Sequence, residues 1–349
     1  MKKNILFAFL ICFGFKTYSQ TTTATPFLLI PADARAGGMG DIGVATSSDA
    51  FSLFHNASKI ASNENGISIG VNYVPWLRNL TDDIFVGNIS VVNRFNENQA
   101  WGVDLKYFSL GEINLTTDQG LPNGFKKPSE FAISGYYALK LSEGFSMSVG
   151  LKYINSNYDI DDDFDAINGF AVDISGYYRS EEENYGDFNG RYRLGFNIAN
   201  IGPKVSYTPG EENFIPTNLK LGGGFDFIFD EYSTLGVNLE FTKLLVPADG
   251  NSEDGWVEGI FTSFGDFSPT WALGAEYLYN DAFAVRAGYF NESEDNGDRQ
   301  FFTMGAGFQA RAFSLDLSYL INASDVNNPL ENTLRFSLAF DLGEIYEDY

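Results

Sequence analysis

The chain has 349 residues, 22 basic against 46 acidic, for a formal net charge of −24, an acidic excess that argues against nucleic acid and anionic surfaces as partners. It carries 33 Phe, 19 Tyr, 4 Trp and 36 Gly but one Cys, which excludes a disulfide framework and a thiolate metal centre and points to a protein that displays aromatic rings over closely packed backbone. Beyond residue 19 no apolar run approaches the roughly 20 residues a spanning helix needs, so a helical membrane protein is excluded.

Residues 1–19 read as an export signal: Lys2 and Lys3, then the apolar run Ile5 to Phe15, then Thr17-Tyr18-Ser19 before a cleavage point at Gln20. The rival lipoprotein reading centres on Cys12, but Leu10 and Ile11 precede it where small residues would be required. Cleavage after the signal removes that thiol. Residues 20–64 do not alternate and precede the first strand on the periplasmic side; they form a predicted plug, with a glycine-rich stretch from Arg35 to Ala45 and a short helix within Asp49 to Ala61, both able to fit inside a barrel.

From Asn65 onward apolar and polar residues alternate with period two, the mark of strands with one oily and one wet face. Strands are predicted at about 65–74, 84–95, 99–110, 130–142, 144–156, 167–179, 189–201, 217–229, 232–243, 269–279, 282–291, 300–309, 312–322 and 332–342. In the last, Leu334, Phe336, Leu338, Phe340 and Leu342 share one face, and Arg335, Ser337, Ala339 and Asp341 the other. The connections alternate between tight turns and long loops, with 180–188 the one long member of the short set. That order suits an all-β, 14-stranded antiparallel transmembrane β-barrel over 65–349, since such barrels keep short turns in the periplasm and long loops outside. A soluble β-sandwich has no reason to keep it.

The wet face bears Lys106, Lys152, Asp173, Arg193, Lys220, Asp226, Glu276 and Arg286, which hydrocarbon would reject and a filled lumen would accept. Mutual pairing of these charges is the simpler expectation, a conduction path the rival one. Tyr73, Trp76, Trp101, Tyr107, Tyr153, Tyr192, Trp271 and Tyr289 fall near strand ends or on the apolar face, as interfacial belts do.

Three motifs suggest chemistry and are each better read as structure. Gly38, Gly40 and Gly43 match the spacing of a dinucleotide fingerprint, but no βαβ unit follows, so tight packing against a barrel wall is the expectation. Asp159, Asp161, Asp162, Asp163 and Asp165 could hold calcium, yet Phe164 and Phe170 occupy the positions of the turn glycine and the bidentate glutamate. His55, the one histidine, lies in the plug, away from where a lipase or acyltransferase triad would work. No catalytic residue, cofactor or metal site is assigned. The long loops carry apolar groups that either pack on one another or offer a docking surface: Trp76, Leu77, Phe125, Leu244, Leu245, Val246, Trp256, Val257, Ile260, Phe261 and Phe264.

The run Pro31-Ala32-Asp33-Ala34-Arg35-Ala36-Gly37-Gly38-Met39-Gly40, with Gly43-Val44-Ala45, Asp49-Ala50 and His55-Asn56-Ala57, resembles the opening of the PorV family of type IX secretion outer-membrane proteins, and more loosely that of the FadL group of fatty-acid transporters. Its sharp motif spans about residues 27–61. Where FadL-type chains often have Asn-Pro-Ala, this one has Asn56-Ala57-Ser58. The resemblance implies a cell outer-membrane barrel, in contact with lipid and lipopolysaccharide, that associates with the type IX translocon protein. It further implies binding of cargo C-terminal domains and their transfer to the surface sortase/attachment complex. The other expectation is a FadL-like transporter of hydrophobic small molecules, which would need an apolar pocket through the barrel where an adaptor needs a closed lumen.

Overall fold

The computed structural model describes residues 23–345, apart from 32, 77–80, 82, 118, 159–165, 248–252, 266–268, 294–295, 311, 325–330 and 332. The export signal, Leu77 and the acidic run at 159–165 lie outside the described residues.

Fourteen antiparallel strands close into one barrel. In chain order they are β1 (Asn65–Pro75), β2 (Ile84–Asn96), β3 (Gln99–Leu110), β4 (Ser129–Lys140), β5 (Phe145–Asn157), β6 (Ile167–Arg179), β7 (Asn189–Ile201), β8 (Asn218–Ile228), β9 (Ser233–Leu244), β10 (Thr270–Tyr279), β11 (Phe283–Asn291), β12 (Gln300–Ala310), β13 (Phe313–Asn322) and β14 (Leu334–Ile345). Each pairs with its sequence neighbour, and β1 closes the ring on β14, with Ile69 opposite Phe340 and Val71 opposite Leu338. Closure leaves the barrel no free edge for another chain to extend. β14 runs beyond the expected Leu342 because Gly343, at φ 91°, accommodates the register shift near Asn65 and lets pairing continue to Ile345.

Alternation sorts the side chains as the sequence requires. On β1, Val71 and Tyr73 face outward while Ser68, Asn72 and Val74 are buried; on β14, Phe336 and Phe340 face outward while Arg335, Ser337 and Ala339 are buried. Hydrocarbon takes the first set and the plug takes the second.

The plug does not stay at one rim. Residues 24–30 lie at the long-loop end, where Phe27 and Ile30 pack among Val74, Val86, Phe108, Ile154, Phe301 and Leu320, and Ala24 N–H donates to Phe214 O. The chain then descends the lumen and reaches the short-turn end, where Leu53, Ile60 and Ala61 meet Val92, Ala100, Tyr136 and Ala138. The segment thus runs through the lumen before β1 begins. An even strand number fixes where β1 begins, not the path before it.

In place of one short helix over Asp49–Ala61 there are two 3-10 turns, Ser52–Phe54 and Ala57–Ser62. Asn56 Oδ1 caps the second by accepting from Ser58 N–H at 3.1 Å. Ala57 stands at the first position of that turn, where no intrahelical donor is needed, so a residue other than proline is accommodated there.

Outside the barrel sheet, two outer hairpins (Ile113–Thr116 with Pro122–Lys126, and Val205–Thr208 with Glu211–Asn213) and the helix Trp256–Thr262 occupy long loops that the alternation reading left without structure.

Candidate functional site

Two features can do work: the plugged lumen and the outer rim. Side chains on the wall hold the plug through its backbone. Gly43 N–H and Val44 N–H both donate to Glu240 Oε2 at 2.9 Å, Gly40 N–H donates to Thr303 Oγ1 at 2.8 Å, and Ala34 N–H donates to Ser337 Oγ at 2.7 Å. Buried backbone donors without strand or helix partners would otherwise each be costly. Asp33 caps the turn Ala34–Gly37 by accepting from Ala36 N–H at 2.8 Å, and its other oxygen meets His55 Nε2. The histidine is thus a buried structural contact between two parts of the plug.

The three motif glycines pack as expected. A Cβ on Gly38 would stand 3.0 Å from Gly305 Cα, and one on Gly43 would overlap the His55 ring. Gly40 adopts φ 75° against the Tyr289 carbonyl, a conformation that favours glycine.

The lumenal charges pair with one another and with the plug. Lys152 Nζ meets Asp173 at 2.9 Å, Arg193 meets Asp226 at 2.6 Å, and Lys220 meets Glu240 at 3.3 Å. Arg286 spans Glu276 at 2.5 Å and Asp316 at 2.6 Å, while Arg335 pairs with Asp41. Lys106 Nζ donates to the plug carbonyls of Leu28 (3.2 Å) and Ile30 (2.9 Å). Asp41 and Glu240 also fasten the plug to the wall, and they escape sequence reading because their partners lie far along the chain. Lys59 Nζ works within the plug, donating to Gly43 O at 2.7 Å and Thr46 Oγ1 at 3.0 Å.

The apolar outer-loop residues divide into two groups. Leu245 and Val246 are buried, Trp76 packs edge-on against Phe108 at 6.0 Å, and Leu244 is half-buried. Leu245 and Val246 therefore belong to loop packing and are corrected out of the docking set. Trp76 likewise turns toward the core beneath the loops and is no part of the lipid-facing aromatic belt, which Tyr73, Trp101, Tyr107 and Tyr192 do join.

The second group remains at the surface. Helix Trp256–Thr262 rests on Phe214 through Gly259, where a Cβ would come within 2.6 Å of the ring, and Lys204 Nζ covers that ring at 4.1 Å. Seated this way, the helix half-buries Ile260 and leaves Trp256, Val257, Phe261 (72 % exposed) and Phe264 at the surface; Phe125 is exposed on the outer hairpin between β3 and β4. Trp256, Val257, Ile260 and Phe261 follow helical spacing, a signal present in the sequence that strand periodicity masks. Between the β1–β2 and β3–β4 loops, the Thr81 hydroxyl and the Glu112 N–H (2.7 Å) hold the Asp83 carboxyl below its ordinary 3.8 and tie the two outer loops together.

A closed antiparallel barrel with a lumen filled by its own N-terminal segment defines an outer-membrane β-barrel of FadL-like fold. More specifically, the family described as type IX secretion system protein PorV matches residues 16–251, and the chain belongs to that family. Among solved structures it is similar to the Pseudomonas putida toluene transporter TodX (11% identity, 92% of this chain and 98% of that one covered, TM-score 0.53). It is also similar to the Ralstonia pickettii toluene transporter TbuX (11% identity, 90% and 98% covered, TM-score 0.51). A Pseudomonas aeruginosa FadL homologue matches with 14% identity, 89% and 99% covered and a TM-score of 0.46. Likeness at these identities concerns the fold alone. No curated protein matches the chain.

Proposed function

We propose that the chain, exported by the signal at residues 1–19, serves the type IX system as a non-catalytic adaptor. It associates with the translocon protein, binds cargo C-terminal domains and passes cargo to the surface sortase/attachment complex. The observation that carries this reading is the exposed apolar patch of Trp256, Val257, Phe261 and Phe264, with Phe125 exposed on a separate outer loop, on a barrel whose outer end is capped by Phe27 and Ile30. Exposed aromatic groups of this kind serve as anchors in protein interfaces. The half-buried Ile260 lies on the same helix.

The rival reading, a transporter of hydrophobic small molecules, draws on fold likeness to the toluene transporters. Against it stand the apolar cap and the ionic character of the lumen, which suit a closed barrel better than a greasy conduit. The test is affinity purification of the tagged chain from native outer membranes, with identification of what travels with it. Recovery of translocon and cargo supports the adaptor. Recovery of neither, with saturable uptake of a hydrophobic solute, overturns it.

A further inference from the structure

The β6–β7 connection is the long member of an otherwise short set, spanning 180–188 where 97–98 join β2 to β3 and 280–282 join β10 to β11. Its length builds a hairpin. Glu183 and Asn184 pair with Gly190 and Asn189, Gly186 turns the chain at φ 95°, and Tyr185 N–H donates to Phe188 O at 2.9 Å. Side chains tie the same turn: Gly186 N–H donates to Asn184 Oδ1 at 3.1 Å, Asn184 Nδ2 to Asn189 Oδ1 at 2.8 Å, and Asn189 Nδ2 to Glu182 Oε1 at 2.7 Å. A turn so cross-linked holds its two rings, Tyr185 and Phe188, in fixed places.

The hairpin folds back over the outside of the barrel. Alternation puts Arg193 and Asp226 in the lumen, and Tyr192, Leu194 and Leu221, all at least 40 % exposed, on the lipid-facing wall. Phe225 lies directly opposite Tyr192 on the β7–β8 pair and so shares that outer wall. Tyr185 packs edge-on against Phe225 at 5.8 Å and flat on Phe188 at 5.5 Å, and Phe188 meets Phe227 at 5.3 Å and Phe229 at 6.5 Å. Gly190 leaves the room, since a Cβ there would come within 2.5 Å of Phe225 and 2.8 Å of Tyr185.

Five rings thus gather at one sector of the short-turn rim, where the β11–β14 side carries ring pairs, Phe283 with Phe308 at 5.3 Å and Phe313 with Phe340 at 5.9 Å. They do not bury one another. Tyr185 and Phe229 remain 48 % and 49 % exposed. What covers them follows from where they stand: the wall they extend is the one hydrocarbon covers, and at the strand ends that wall meets the glycerol and headgroup zone, where aromatic side chains partition. The tip limits the depth, because Glu181, Glu182, Glu183 and Asp187 are all exposed and a carboxylate drawn into hydrocarbon is costly.

We infer that residues 180–188 form an interfacial foot, which binds phospholipid of the periplasmic leaflet at the glycerol level through Tyr185 and Phe188. The foot lies at the opposite end of the barrel from the outer-rim patch, so it stands or falls independently of the adaptor reading.

The test uses the full chain in nanodiscs of phosphatidylethanolamine and phosphatidylglycerol, with Tyr185→Trp and Phe188→Trp as separate reporters that keep a ring in place. The chain has four native tryptophans, so the reading is the difference from the unsubstituted chain. Phospholipid brominated on the acyl chain near the glycerol should extinguish the added emission at 185 and 188, and aqueous iodide should leave it intact. Heat-modifiable migration confirms that each variant is folded, and either reporter serves if the other is not. Quenching by iodide would put the turn in water, and shielding from both quenchers would put the rings against the chain itself or a second copy; either result overturns the inference.

Discussion

Arg35, in the plug, and Glu276, on β10, are joined at two points: Nε to Oε2 at 3.0 Å and Nη2 to Oε1 at 2.8 Å. Glu276 also takes Arg286 at 2.5 Å, and Arg35 reaches Asp49 at 2.8 Å within the plug. One carboxylate thus locks the plug to the wall, and the other only to itself.

The two acids should therefore differ in effect. Glu276→Gln leaves two buried guanidiniums short of charge and is expected to cost about 3–5 kcal/mol, the range for breaking a buried pair. Asp49→Asn, at a side chain about a quarter exposed, should cost under about 1 kcal/mol. Hydrogen exchange across residues 34–49, together with denaturant midpoints, measures both. Equal effects would show that this ion pair does not anchor the plug.

Glycines at the plug–wall contact should resist substitution that lipid-facing glycines tolerate. A Cβ on Gly288 would overlap the backbone at Met39 and Gly40, neither of which is a flexible side-chain end, whereas one on Gly135 meets nothing within 4 Å. Gly288→Ala is expected to destabilise by about 1–3 kcal/mol or more and to admit protease to the plug, with Gly135→Ala near neutral. Limited proteolysis of the two variants in micelles decides the matter.

The Asp83 contact makes one outer-loop junction acid-sensitive. Its carboxyl titrates below the ordinary 3.8 when folded, so the contact is fully present above about pH 4 and is lost as pH falls through the lower, folded value. Between pH 5 and pH 3 the Glu112 amide resonance should move with a midpoint below 3.8, and Asp83→Asn should abolish that transition.

Partner capture should depend on the surface aromatics and not on the buried loop residues. Phe261→Asp combined with Phe264→Asp leaves the barrel intact, because both rings are exposed, and is expected to weaken co-purification of the translocon by about 2 kcal/mol or more, the scale of an interface anchor. Leu245→Ala instead should lower the denaturant midpoint, since its side chain is buried. Undiminished recovery with the doubly substituted chain would remove the patch from the proposed interface.

Period-two alternation determined the number, order and facing of the strands, because each residue's choice between lipid and lumen is a local matter of polarity. Phe336 and Phe340 outward and Arg335 and Ser337 inward could be read directly, as could the tight packing of Gly38 and Gly43. The route of the plug and its fastenings could not. Arg35 meets Glu276 across 241 residues and Asp41 meets Arg335 across 294, and a charged side chain carries no local mark of which opposite charge it will face once the ring closes. The same holds at the loops, where Leu245 and Phe261 are alike in composition and only folding buried one and exposed the other. It holds also at the short-turn end, where Arg191 and Arg193 came to share Asp226 through the register of β7 against β8.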